Sequence, residues 1–173
     1  MLKQLVQQFI DEYRPDEQRS AATIQASTDI EDAIVKSTAR IKTHQRQSNE
    51  TLEEWTSALK QAANRLTNAK DFDDLFRIAK EVGDPIWNIG PLAVYDFASR
   101  ISIYLKIPPQ RVYLHAGPAK AAKCLNIRAK EASKNDFPDE LAPLSEDEIE
   151  SFLCIFANRI CAQGAERKRK RSC

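Results

Sequence analysis

The fold of this chain is decided at residues 86–98, which read Ile86-Trp87-Asn88-Ile89-Gly90-Pro91-Leu92-Ala93-Val94-Tyr95-Asp96-Phe97-Ala98. Asn88 and Gly90 both tolerate a positive φ angle, and Pro91 suits the first position of a new helix. We therefore predict a tight hairpin followed by a helix whose first backbone N–H groups point outward. Such a helix start binds anions. We also expect Gly90 to adopt a conformation that no bulky residue shares, and the amides after it to face an open, positive surface.

Apolar residues at helical spacing extend in both directions from this hairpin, and no stretch alternates with a period of two. The pattern predicts an all-α fold, a single compact domain of about seven helices over residues 1–162. The apolar stripes predict helices at residues 2–13, 30–41, 52–66, 72–82, 92–105 and 149–160, with a short helix opened by Gly117-Pro118.

The helix ends carry their own signals in the sequence. Thr28 is the expected N-cap of the helix that follows it, and Gly83 and Pro85 are expected to stop the helix before them. Ser145-Glu146-Asp147-Glu148 reads as a capping box. Residues 42–49 read as a loop, and the basic residues 163–173 as a disordered tail. Trp55 and Trp87 both lie on apolar stripes, so we expect them in the core.

Charge is unevenly distributed, although the net charge is only +1. Residues 100–134 contain eight lysines and arginines and one acid, whereas residues 135–152 contain seven acids and no base. A basic field directly after the hairpin suits a phosphate-binding surface. The alternative is that the acidic block folds back and neutralises it. If one helix runs from Gly117 to residue 134, it places four lysines on one face, namely Lys120, Lys123, Lys130 and Lys134.

The four cysteines, Cys124, Cys154, Cys161 and Cys173, show no CxxC spacing. This pattern predicts reduced thiols in a cytoplasmic protein. The only histidines are His44 and His115, so we expect no metal site and no cofactor. No apolar run has the length of a membrane span, and polar residues interrupt the apolar N-terminus, so we expect neither a membrane segment nor a signal peptide.

Residues 88–124 resemble the helix-hairpin-helix glycosylases and lyases of DNA repair. Asn88-Ile89-Gly90 corresponds to their hairpin, and Val112-Tyr113-Leu114-His115 lies near the segment that carries their catalytic Asp. The resemblance implies that the hairpin amides bind a nucleic-acid phosphate. Leu92 takes the place of the family's nucleophilic Lys and Tyr113 that of its Asp, so glycosylase chemistry is not expected.

A second resemblance covers more of the chain. It is carried by four segments, Asp71-Phe72-Asp73-Asp74-Leu75, Ile89-Gly90-Pro91-Leu92-Ala93-Val94-Tyr95-Asp96, Val112-Tyr113-Leu114-His115-Ala116-Gly117 and Glu148-Ile149-Glu150-Ser151-Phe152-Leu153-Cys154-Ile155. These segments are similar to a group of uncharacterised bacterial helical proteins. The similarity implies a bacterial origin and carries over no function.

Three hypotheses follow from these residues. The first is a non-catalytic nucleic-acid-binding module, with DNA favoured over RNA, whose contacts are Asn88, Gly90, Arg100, Lys106, Arg111, Lys120 and Lys123. The second is a small helical protein that binds a protein partner and no nucleic acid. The third is an enzyme, for which Tyr95, Asp96 and His115 form the only cluster with the parts for acid–base catalysis.

Overall fold

The computed structural model describes residues 2–40 and 47–171, with the backbone alone for residues 116 and 163–171. It is an all-α structure, as the apolar periodicity predicts. The α-helices of the described residues are α1 Leu2–Gln8, α2 Arg14–Gln25, α3 Ile30–Thr38, α4 Asn49–Gln61, α5 Ala63–Thr67, α6 Phe72–Gly83, α7 Pro91–Leu105, α8 Ala116–Cys124 and α9 Glu146–Arg171. Within the same residues, one two-stranded antiparallel sheet pairs β1 Val112–Tyr113 with β2 Glu131–Ala132.

The described part of the chain has more helices than the predicted seven because α2 lies outside every predicted stripe and the third stripe forms two helices. A π-helical turn at Phe9–Tyr13 joins α1 to α2. Pro15 therefore does not end the first helix, because the helical backbone continues from α1 through the π-helical turn into α2. The third stripe is divided at Ala62, where the backbone leaves helical geometry between α4 and α5.

The chain forms two compact units, one made of Met1–Glu17 with Gln110–Cys173 and the other of Gln18–Pro109. In the first unit, side chains from α1, β1 and α9 share one apolar core, with Phe9 packed edge-on against Phe152. In the second unit, Trp55 of α4 is fully buried against Phe97 of α7. The assignment of one domain to residues 1–162 and of a disordered tail to 163–173 stays a prediction; the backbone of α9 is helical to Arg171.

Several expected helix ends are placed differently by the structure. Asp29 is the N-cap of α3, not Thr28, because the Asp29 side chain accepts the backbone N–H of Asp32 at 2.8 Å. The predicted capping box before α9 has one of its two hydrogen bonds, in which Glu148 accepts the N–H of Ser145. The Ser145 hydroxyl, which would accept a backbone N–H in such a box, donates to the Asp147 carboxylate.

Gly83 is the last residue of α6 and is not a left-handed stop. A Cβ there would lie 2.9 Å from Cγ2 of Ile89. Packing therefore explains this glycine. Most of the loop predicted at residues 42–49, with His44, lies outside the described residues.

No helix in the described part of the chain combines the length and the apolar character that crossing a membrane requires.

Candidate nucleic-acid interface

The predicted hairpin is a turn that runs from the end of α6 to the start of α7. The N–H of Ile86 donates to the carbonyl of Gly83, and the N–H of Ile89 donates to that of Ile86. Asn88 takes the left-handed conformation, with φ 67°. Its carbonyl accepts a hydrogen bond of 3.1 Å from the Gln47 side chain, which attaches the turn to the residues before α4.

Gly90 does not have the constrained conformation that the sequence predicts. Its backbone is extended, with φ −98° and ψ 173°, and a Cβ at this position would meet no atom within 4 Å. The expectation was wrong because one left-handed residue is enough to reverse the chain, and Asn88 supplies it. Gly90 serves instead as the N-cap of α7, with Pro91 directly after it as predicted.

The start of α7 is open. The first bond of the helix runs from Val94 N–H to the Gly90 carbonyl, so the N–H groups of Leu92 and Ala93 precede any acceptor inside the helix. They border a surface depression of about 560 Å³ that is lined by Gln47, Asn88, Ile89, Gly90, Pro91, Leu92 and Ala93. Its described lining contains no charged side chain, so the predicted positive surface is not found among these residues.

Trp87 is exposed, which corrects its predicted place in the core. Its exposed fraction is 87%, whereas Trp55, predicted core on the same grounds, is fully buried. Ile86 and Ile89, on either side of Trp87 in sequence, are both buried, whereas the Trp87 side chain is exposed to solvent. Leu92 is also exposed, at 38%. An aromatic ring and an open helix start thus belong to one six-residue segment, 87–92.

The two predicted basic contacts nearest in sequence do not join this segment. The Arg100 guanidinium donates to the carbonyls of Lys36 at 2.7 Å and Ala39 at 3.0 Å, where it caps the end of α3. Burial lowers the pKa of Arg100, and nearby Asp96 opposes this effect. Lys106 is the left-handed C-cap of α7 and therefore lies at the opposite end of that helix from Gly90. At 1.5 Å per residue these ends are about 24 Å apart.

The other three predicted contacts, Arg111, Lys120 and Lys123, belong to the first unit, whereas the hairpin belongs to the second. Arg111 pairs with Glu131 at 3.2 Å, and the Lys120 ammonium donates to Asn158 at 2.9 Å. Lys123 lies exposed in the last turn of α8.

The expected basic helix to residue 134 is wrong. α8 ends at Cys124, and Asn126 then takes a left-handed conformation with φ 70°. Such a residue terminates a helix. Lys130 and Lys134 consequently leave the face that Lys120 and Lys123 share.

The residues proposed for acid–base chemistry are distributed over both units. Tyr95 is buried at 2% exposure, where its ring contacts Phe72 and Phe76. Asp96 is half-buried on the same helix. His115 belongs to the first unit, where it is the N-cap residue of α8 and its ring stacks on Tyr113. Tyr95 is thus a core residue, and the three side chains are divided between the two units.

Two cysteines are joined in a way the sequence did not indicate. Cys124 of α8 and Cys161 of α9 form a disulfide across a separation of 37 residues. The prediction of reduced thiols is therefore wrong for this pair, because helix packing brings together cysteines that no local spacing connects. Cys154 is exposed and takes no part in a disulfide. No cluster of three metal-ligating side chains occurs among the described residues.

The acidic block has a partner outside the basic block. Glu148 pairs with Arg14 of α2, and Asp136 accepts the N–H of Ser133. Sequence reasoning also missed Glu17, whose carboxyl is hydrogen-bonded to Ser151 of α9. Burial, together with the charges of Asp147 and Glu148, raises the pKa of Glu17 to about 7, although the hydrogen bond with Ser151 and the charge of Arg14 act in the opposite direction. Nothing in the spacing of residues 14–17 signals this environment.

No protein-family model, curated protein or solved structure matches this chain. The two resemblances therefore stay predictions that rest on the residues quoted for them.

Proposed function

We propose that this chain is a non-catalytic nucleic-acid-binding module whose contact site is the segment of residues 87–92. The observation that carries the proposal is the 87% exposure of Trp87 beside the open start of α7. An exposed indole offers a ligand both apolar surface and an aromatic face. Two parts of a nucleotide have matching chemistry: the base stacks on an aromatic ring, and the phosphate accepts hydrogen bonds from helix-start amides.

The shape of the site favours single-stranded DNA over a duplex. A base can stack on Trp87 only if it is unpaired or at a strand end, because the bases of a duplex are covered by their neighbours. The uncharged described lining also means that affinity here rests on stacking more than on ion pairs. Lys106, Arg111, Lys120 and Lys123 are not part of this contact site and stay untested predictions, whereas Arg100 is already occupied at the end of α3.

Fluorescence anisotropy with labelled DNA tests this proposal. Wild-type protein should bind a single-stranded oligonucleotide more tightly than the matching duplex. Its affinity should fall only weakly as salt rises, since few phosphates are neutralised by side chains. If the protein bound the single strand and the duplex equally well, and if its affinity fell steeply as salt rose, the scattered basic residues would be the better candidate for the contact. No binding to either at low salt would overturn the proposal.

A second candidate is a helical protein that binds another protein. The same observation favours it, since exposed tryptophan is a common anchor of protein interfaces and Leu92 lies nearby. It becomes the better account if oligonucleotides do not bind. A bacterial, cytoplasmic setting also remains a proposal; the disulfide between Cys124 and Cys161 is a bond typical of oxidising compartments and speaks against the second part.

A further inference from the structure

The chain that leaves α8 in the first unit turns back onto the end of that helix. The N–H of Asn126 donates to the carbonyl of Lys123 at 3.1 Å, and the N–H of Ile127 donates to that of Ala122 at 2.9 Å. Together with the left-handed conformation of Asn126, these two bonds form a Schellman motif. Residues 120–130, which run from α8 through this turn to the residue before β2, are named the basic hook.

The basic hook carries four exposed cations that the backbone keeps close together. Lys120 and Lys123 lie one turn apart on α8, where Cβ atoms at this spacing are about 5–6 Å apart. Arg128 is the first residue after the Schellman motif, which holds it beside the last turn of α8. Lys130 lies two residues further on, at most about 7 Å along the chain. The N–H of Leu114 donates to the Lys130 carbonyl at 2.8 Å, which fixes this end of the hook.

No carboxylate neutralises these four charges in the described part of the chain. Lys120 donates to an uncharged amide, that of Asn158, and the other three cations form no side-chain ion pair or hydrogen bond there. The sequence has no acid between Asp96 and Glu131, and Glu131 itself pairs with Arg111. By contrast, the arginines of α5 and α6 pair with carboxylates of α6. The basic hook therefore presents its positive charges to solvent.

The basic hook lacks the apolar surface that a protein or a membrane partner would use. The large exposed apolar residues of the described chain all lie outside it, and they are Val35, Trp87, Leu92 and Ile155. Protein interfaces are anchored by a few large side chains that become buried, and helices that lie on a membrane insert an apolar face. Closely spaced cations without such an anchor suit a chain of phosphates, which binds largely through charge.

We propose that the basic hook binds the phosphate backbone of double-stranded nucleic acid without reading its sequence. The disulfide from Cys124 to Cys161 of α9 fixes the hook before binding, so that little ordering is needed. Binding of this kind is weak at physiological salt, with a Kd on the order of 10⁻⁴–10⁻⁶ M. The basic hook belongs to the first unit and needs no unpaired base, so this proposal does not depend on the single-strand site at residues 87–92 of the second unit.

Fluorescence anisotropy with duplex DNA in a salt series tests the basic hook on the whole chain. The affinity of the wild type should fall about a hundredfold between about 50 and about 200 mM salt, since four neutralised phosphates give a logarithmic slope of roughly −3.6. Lys123→Gln combined with Lys130→Gln removes two of these contacts, so the affinity of this hook variant should fall only about tenfold over the same range. Trp87→Ala should bind the duplex as the wild type does, which separates this test from that of residues 87–92.

Lys3→Gln combined with Lys70→Gln is the matched control. Both lysines are exposed and lie outside the basic hook, and the pair removes the same net charge, so this variant should keep the wild-type salt dependence. A wild type that does not bind duplex DNA at low salt, or whose affinity hardly changes with salt, would overturn the proposal. A hook variant whose affinity falls as steeply as that of the wild type would do the same. Binding to vesicles rich in phosphatidylserine, without binding to duplex DNA, would overturn it in favour of a membrane surface.

Discussion

Asn88 lies in the left-handed region at φ 67°, whereas Gly90, two residues later, is extended at φ −98°. The turn before α7 therefore depends on the asparagine for its reversal and on the glycine only for its helix cap. The stability of the turn should therefore depend on Asn88, and the capacity of the helix start to bind an anion should depend on Gly90. Variants at the two positions should accordingly have different effects.

Substitution of Asn88 should change stability. Asn88→Ala should lower the free energy of unfolding by about 1 kcal/mol, because alanine is strained in the left-handed region. Asn88→Gly should stay within about 0.5 kcal/mol of the wild type, because glycine adopts this conformation freely. Urea unfolding measures both. Equal loss in the two variants would show that the side chain, and not the backbone angle, holds the turn.

Substitution of Gly90 should change binding and not folding. Gly90→Asp should stabilise α7 by about 0.5 kcal/mol, because its carboxylate accepts the first helix amides. The same carboxylate should occupy the anion position and weaken single-stranded DNA binding by about tenfold or more, in line with a lost charge-assisted hydrogen bond. Anisotropy measures the affinity and thermal unfolding the stability.

Gly90→Ala is the control for that variant. Its Cβ meets nothing within 4 Å and leaves the amides uncovered, so affinity should remain within about twofold. If Gly90→Asp binds DNA as well as Gly90→Ala does, the start of α7 is not a phosphate contact.

Gly83 should be far more sensitive than Gly90 to the same change. A Cβ at Gly83 would come within 2.9 Å of the Ile89 side chain and 3.3 Å of Val94. Gly83→Ala should therefore lower the free energy of unfolding by about 1–3 kcal/mol, the usual effect of overpacking. Chemical denaturation of the two alanine variants side by side measures the difference. A Gly83→Ala protein as stable as Gly90→Ala would mean that the turn yields to admit the methyl group.

Reduction of the disulfide should destabilise the first unit. A crosslink that closes a loop of 37 residues lowers the entropy of the unfolded chain. In the chain-entropy account this raises the free energy of unfolding by about 4 kcal/mol. Cys161→Ser, or a reductant with the wild type, should produce a loss of this order in urea unfolding. Cys154→Ser should have little effect by comparison, since Cys154 is exposed and removing it opens no disulfide loop. If reductant left the free energy of unfolding of the wild type unchanged, the disulfide would not form in solution.

The sequence predicts the helices well and the site poorly, for physical reasons. Apolar side chains at helical spacing must be buried together, so stripes such as the one around Trp55 identify helices directly. Trp87 has the same kind of neighbours in sequence, but it lies in the turn between α6 and α7. Helical periodicity does not apply there, and the turn at Asn88 directs the side chain to solvent. The Cys124–Cys161 bond depends on how α8 packs against α9, which no local pattern encodes. The raised pKa of Glu17 likewise arises from burial and from the charges of Asp147 and Glu148, which lie more than a hundred positions away.

The most direct test of the proposed site is the response of Trp87 to single-stranded DNA. Trp87→Ala should leave stability within about 0.5 kcal/mol, because the residue is exposed. It should weaken oligonucleotide binding by about tenfold or more, the usual effect of removing a stacking ring. Val35→Ala, at another exposed apolar residue of the second unit, should bind as the wild type does.

The measurement is tryptophan fluorescence during titration with the oligonucleotide. Trp55 is fully buried, so quenching by bound bases should come from Trp87 and disappear in Trp87→Ala. Quenching of the wild type together with loss of affinity in Trp87→Ala is the predicted result. Undiminished affinity in Trp87→Ala, with no change in wild-type fluorescence on binding, would contradict the account.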